Sequence, residues 1–120
     1  MTPALPRQIS ADEANLLLRV LERAPLTEVA PAVFAVIPTL TVIGVCGCGC
    51  RTIYFRPPGV GDRRIADACA QMPCGTPADV MVWATPEGLA ALEIVDYSLC
   101  GEFPVADTVC TQDRLVVMFQ

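Results

Sequence analysis

The chain contains no histidine and no lysine, and only two serines, Ser10 and Ser98. Without histidine it lacks the commonest general base, the usual partner of a Ser or Cys nucleophile and the commonest zinc ligand. A Ser-His-Asp triad and a Cys–His dyad are both excluded. Positive charge is also scarce. All eight basic residues are arginine, against 13 acidic residues, for a net charge of −5. Affinity for nucleic acid rests on cationic contacts to phosphate, and there is no basic cluster to supply them. The same acidity suits a basic protein partner, whose approach it would steer.

The 120 residues are 53% hydrophobic and only 18% charged. This is enough to build one hydrophobic core, and residues 1–120 read as a single domain. Val29–Cys50 carries no charge and is long enough to cross a bilayer. Pro31 and Pro38 interrupt it, however, and its end holds Gly44, Gly47 and Gly49. A helix followed by a buried strand accounts for it better than a membrane span.

Cysteine is the exception to this scarcity. Seven are present, and Cys46-Gly47-Cys48-Gly49-Cys50 places three at alternate positions. The number is odd, and the opening segment Met1–Ser10 holds no apolar signal core. Together these predict reduced thiols and a cytoplasmic protein, with no membrane partner. Cys46, Cys48, Cys50 and Cys74 are the candidate ligands of a four-thiolate zinc site. Yet zinc knuckles use C-x2-C turns that aim two sulfurs at one ion, and the intervals here are one residue. The bland alternative is small buried hydrophobes at a tight turn. No cofactor is therefore assigned, with a zinc-stabilised regulatory or structural protein kept as the alternative. A reactive thiol would need Arg or a helix N-terminus to activate it.

Local patterns predict an α+β fold, with one or two N-terminal helices packed on an antiparallel β-sheet of about four to six strands. Ser10-Ala-Asp-Glu13 is a capping box, and Leu16, Leu17, Val20, Leu21 and Ala24 follow at helical spacing up to Pro25. Thr27 is the candidate cap of a second helix ending at Pro38. After Pro38 the apolar period changes to two. Leu40–Val45 and Arg51–Phe55 read as two strands reversing across the glycines, or as a single kinked strand in which glycine marks a bulge. Ile65–Gln71 fits a strand or a short helix, and Val80–Ala84 a short strand. Thr85-Pro86-Glu87-Gly88 is a turn signal, joining that strand to Leu89–Tyr97 as a hairpin. Ser98–Thr111 reads as irregular and Leu115–Phe119 as a last edge strand. Gly59-Val60-Gly61 lacks the third glycine of a dinucleotide loop and reads as a plain loop.

Function points to the acidic C-terminal third. Glu93 and Tyr97 share one face of the predicted strand with Val95, while Leu92 and Ile94 face the other way. Glu93, Asp96, Tyr97, Glu102 and Asp107 are the candidate partner-binding residues. A carboxylate face with a tyrosine is what contact with a cationic protein surface uses, and it is also what a plain solvated sheet face looks like. Arg51, Arg56, Arg63 and Arg64 read as a solvated edge, with contact to an anion or an acidic partner as the alternative.

The succession of a leucine-rich helix, Cys46-Gly-Cys48-Gly49-Cys50 and Leu92-Glu93-Ile94 followed by Tyr97 resembles small uncharacterised proteins of actinobacteria and proteobacteria. These carry a Cys-x-Cys-Gly-Cys turn and an L-E-[IV]-x-x-Y hairpin. The resemblance spans residues 40–98, and such proteins look like immunity proteins of bacterial toxin systems. It implies a non-enzymatic cytoplasmic binding protein that occludes a toxin enzyme, with a basic toxin domain as partner. This chain departs from the pattern in Cys69, Cys74, Cys100, Cys110 and the longer tail.

Overall fold

The computed structural model describes residues 4–47, 50–59, 61–97 and 101–111. Strand β1 (Arg7–Gln8) leads into helix α1 (Ala11–Arg23). Helix α2 (Pro31–Val36) follows and tightens into a 3-10 turn, Ile37–Thr39. Strands β2 (Thr41–Val42), β3 (Gly44–Val45) and β4 (Ile53–Tyr54) are short. Strands β5 (Arg63–Gln71), β6 (Pro77–Thr85), β7 (Gly88–Asp96) and β8 (Val105–Thr111) are long. β1 and β2 form a two-stranded sheet, and the rest form a six-stranded sheet in the order β3-β4-β7-β6-β5-β8. All pairings are antiparallel, so the α+β class predicted from sequence holds.

Helix α1 begins where the capping box places it. Ser10 Oγ accepts from the Glu13 backbone N–H at 3.1 Å, and Glu13 Oε1 accepts from the Ser10 N–H at 2.9 Å. Glu13 also forms a two-pronged ion pair with Arg7 of β1, both contacts at 2.8 Å. The cap thus ties the helix to the small sheet. Ser10→Ala should cost about 1 kcal/mol, the usual worth of an N-cap bond. An unchanged denaturation midpoint would contradict this assignment.

Helix α2 corrects the expected start. Its N-cap is Ala30, with no side-chain hydrogen bond, and not Thr27. Proline biases the residue before it to extended backbone, and Ala30 has ψ 143°. Pro31 therefore occupies the first helical position, where its missing N–H costs nothing. The run Leu40–Val45 also differs from expectation, being divided between the two sheets. Ser98–Thr111 is not irregular throughout, since β8 occupies its second half. The suggested strand Leu115–Phe119 lies outside the described residues.

One face of the large sheet holds the core. Val80 and Val82 of β6 stand opposite Ile94 and Leu92 of β7, and opposite Ala68 and Ala66 of β5. Leu16, Leu17, Val20 and Leu21 of α1, Ile37 and Val42 join them in one buried cluster. Small alanines on β5 let α1 approach closely. Arg23 reaches from the end of α1 to the carbonyls of Asp107 (3.0 Å) and Val109 (3.3 Å). Those carbonyls of the edge strand are thereby occupied, which blunts pairing with another chain.

Candidate functional site

The period of two along β5–β7 sends alternate side chains to the other face of the sheet. The strand register aligns them in rows. Cys110, Cys69, Asp79 and Val95 form one row across β8, β5, β6 and β7. Asp67, Met81 and Glu93 form the next. Arg64, Trp83, Ala91 and Tyr54 form the third. None of these residues belongs to the core cluster, and most are half-buried.

Negative charge dominates this face. Asp67, Asp79 and Glu93 lie on it, and Arg64 forms its ion pair with Asp67 at 3.1 Å. The Tyr97 hydroxyl donates to Asp79 Oδ2, and this bond raises the phenol pKa above its usual value. The Cys69 thiol donates to Asp79 Oδ1 at 3.6 Å. Burial first, and the Asp79 charge second, push that thiol up to about 12. Cys69 is therefore protonated at neutral pH and is not an activated nucleophile.

Trp83, the chain's only tryptophan, occupies a special place on the strands. The β5–β6 register shifts between Arg64 and Ala66, and the β6–β7 register shifts between Trp83 and Ala84. Both neighbours of β6 thus bulge beside Trp83. Each bulge is braced from outside. The Ile65 carbonyl accepts from the Leu26 N–H at 2.8 Å, and the Ala90 carbonyl from the Phe55 N–H at 2.8 Å. Bulges strengthen local twist and re-aim side chains, often beside functional sites. The Trp83 indole N–H donates to Glu93 Oε1 at 2.8 Å.

A cleft of about 270 Å³ opens here, with Tyr54, Trp83, Glu93, Asp62, Ala91 and Thr52 among its lining residues. Its structure is held from below and from the rim. Thr52 Oγ1 donates to the Ile94 carbonyl (3.2 Å) and accepts the Ile94 N–H (2.9 Å), fastening the approach to β4 onto β7. At the rim, Asp62 Oδ2 accepts the Gly59 N–H at 3.2 Å, closing the loop that follows Pro57-Pro58.

Of the partner-binding residues predicted from sequence, Glu93 and Tyr97 lie together on this face. Asp96 stands opposite Ala78 on the core side of the register, and its Oδ2 accepts from the Gly101 N–H at 3.3 Å. Glu102 is exposed on the loop before β8. Asp107 lies on β8, three strand positions from β7, and lines a separate groove with Asp12 of α1. With strands about 4.8 Å apart, it is on the order of 14 Å from the Glu93 strand. Trp83, Tyr54, Asp79 and Asp62 were not predicted as site residues. The lone tryptophan was the available signal for the first.

The sequence suggested reduced thiols throughout, and this is corrected at one position. Cys46, Cys50, Cys69 and Cys110 are thiols, but Cys74 is disulfide-bonded. A disulfide sulfur is not a thiolate, so Cys74 as it stands supplies no ligand to the Cys46, Cys48, Cys50 and Cys74 zinc set. Cys50 Sγ donates to Thr52 Oγ1 at 3.3 Å, and Cys48 lies outside the described residues. Among the described residues no three such side chains are grouped to hold a metal ion. The arginines also disperse. Arg51 donates to the Gly101 carbonyl and Arg56 to the Glu87 carbonyl, while Arg64 pairs with Asp67. No helix among the described residues is long and apolar enough to cross a membrane.

No family model, curated protein or solved structure matches this chain.

Proposed function

We propose that this chain is a non-enzymatic cytoplasmic binding protein, an immunity-type inhibitor that occludes a bacterial toxin enzyme. The supporting observation is the sheet face opposite the core, where Trp83, Tyr54, Tyr97 and Met81 stand among Asp67, Asp79 and Glu93. Aromatic residues and methionine are enriched where protein interfaces bury their centres. They supply the apolar area, and the carboxylates select a basic partner and speed its approach. With a net charge of −5, the whole chain adds long-range steering.

Occlusion is steric. A rigid sheet backed by α1 covers the partner's working surface without chemistry of its own. The face repels phosphate, so nucleic acid is not the partner proposed. The thiols of Cys46, Cys50, Cys69 and Cys110 suit a reducing compartment, and the Cys74 disulfide is the exception to that pattern.

The partner expected is a basic toxin domain encoded beside this chain. It should co-purify with the chain, lose its activity in the complex and associate more slowly as salt rises. A neighbouring toxin that stays active with the chain in excess would contradict the proposal, as would an association rate indifferent to salt.

A further inference from the structure

The cleft at Trp83 is more specific than an acidic surface. We infer that it receives one arginine side chain of the basic partner, with the guanidinium held by Glu93 and Asp62 against the rings of Trp83 and Tyr54. This deepens the proposed function and rests on it for the identity of the partner, although the cleft's chemistry is testable alone.

Three features point to a guanidinium. First, among the described residues the cleft is lined by two aromatic rings and two carboxylates, and by no basic residue. Aromatic faces attract cations, and arginine stacks on them while its fork pairs with carboxylates. Second, Glu93 is already oriented. The Trp83 N–H holds its Oε1, no described arginine forms an ion pair with it, and an incoming donor meets a positioned carboxylate. Arg64 is the cross-strand neighbour of Trp83, but Asp67 engages its Nη1 at 3.1 Å and it does not line the cleft. Third, the site is built on strands. The two braced bulges fix Trp83, and the paired bonds of Thr52 fix the segment leading to Tyr54. Little ordering is left for the ligand to induce, which favours binding.

The cleft's size fits one side chain. About 270 Å³ has room for a guanidinium with its last methylenes. A neutral isostere gains the stacking but not the ion pair, so charge decides occupancy.

Because the chain has a single tryptophan, its fluorescence reads the cleft directly. The purified chain is titrated with acetyl-argininamide and, separately, with acetyl-citrullinamide, which has the same shape without the charge. The arginine compound should change Trp83 emission saturably, and the citrulline compound should bind at least fivefold more weakly. Glu93→Gln keeps an acceptor for the Trp83 N–H while removing the charge, and should weaken the arginine compound by at least fivefold. Asp62→Asn, which likewise keeps an acceptor for Gly59, provides a second variant should the first fail to fold. The inference is overturned by an emission that does not saturate, by equal response to the two compounds, or by unchanged affinity in the folded variants. If the neighbouring toxin is still inhibited in a salt-dependent way after such a result, the occlusion reading stands and the arginine cleft alone falls. If the toxin stays active but the titration succeeds, the cleft stands without that partner.

Discussion

Leu92→Ala is expected to destabilise the domain by about 2–5 kcal/mol, the range for removing a large buried side chain from a core that cannot collapse. Leu92 is fully buried. It lies on β7, an inner strand, between Ile53 of β4 and Val82 of β6. Ladder hydrogen bonds on both sides hold its neighbours in place, and the void stays largely open. Typical domains are stable by only about 5–15 kcal/mol, so the loss is a large fraction of the total. The thermal midpoint should fall by roughly 10–20 °C. Thermal or urea denaturation followed by circular dichroism measures it. A loss below about 0.5 kcal/mol, the size expected of a surface change, would contradict the placement of β7 inside the sheet.

The second large effect is at Glu13, where the cap of α1 and the ion pair to β1 share one carboxylate. Its side chain is 10% exposed, and that of Arg7 20%. Burial raises the Glu13 pKa, but the hydrogen bonds from Arg7 and from the Ser10 backbone outweigh it, and the net value lies below the ordinary 4.5. A carboxylate with a depressed folded pKa stabilises the fold above its unfolded pKa. That contribution is lost as pH falls through the folded value. Glu13→Gln should therefore cost about 1.5–3 kcal/mol at neutral pH, the worth of a hydrogen bond to a charged group. Parent and variant should converge in acid, below pH 4.5. Denaturation midpoints of both proteins across that range provide the check. A difference that persisted undiminished at low pH would show that the carboxylate charge is not the cause.

Local signals made the helices and the central hairpin readable. The capping box, the leucine spacing and Pro25 fixed α1 within a residue. The turn Thr85–Gly88 was legible from proline at its second position and glycine at its fourth; Gly88 has φ +145°, a region that other residues rarely adopt. Alternation along Leu89–Tyr97 placed Glu93 opposite in direction to Leu92 and Ile94, as the structure has it. Where alternation was weak, reading failed. Ile65–Gln71 is rich in alanine, which favours neither period clearly, and its pairing with β6 and β8 makes it a strand. Val105–Thr111 buries only Val109 deeply and pairs with β5 through a register shift, so it carried no clean pattern. Thr27 misled because its capping chemistry was right while Pro31 set the helix start.

The site was half legible for the same reason. Glu93 lies on β7 and Tyr97 directly follows its end, and their common face follows from spacing. Asp79, Trp83 and Tyr54 reach them only through the pairing register and two bulges, which are tertiary facts. Asp107 looked like a neighbour by its acidity, but β8 pairs with β5 and not with β7. The Cys46–Cys50 cluster drew attention by density, yet the carboxylates and aromatics gather on the sheet.

The central claim is that negative charge on one face, and not the net charge of the chain, binds a basic partner. Glu93→Arg and Glu22→Arg change the net charge equally. Glu22 is exposed on α1, on the other side of the domain. The most direct measurement compares the affinity of the parent and these two variants for an immobilised arginine-rich peptide at fixed salt. Glu93→Arg should weaken binding at least tenfold, a loss of about 1.4 kcal/mol, while Glu22→Arg stays within about twofold of the parent. Equal losses in the two variants would contradict the claim, because binding would then follow total charge and the sheet face would have no special part in it.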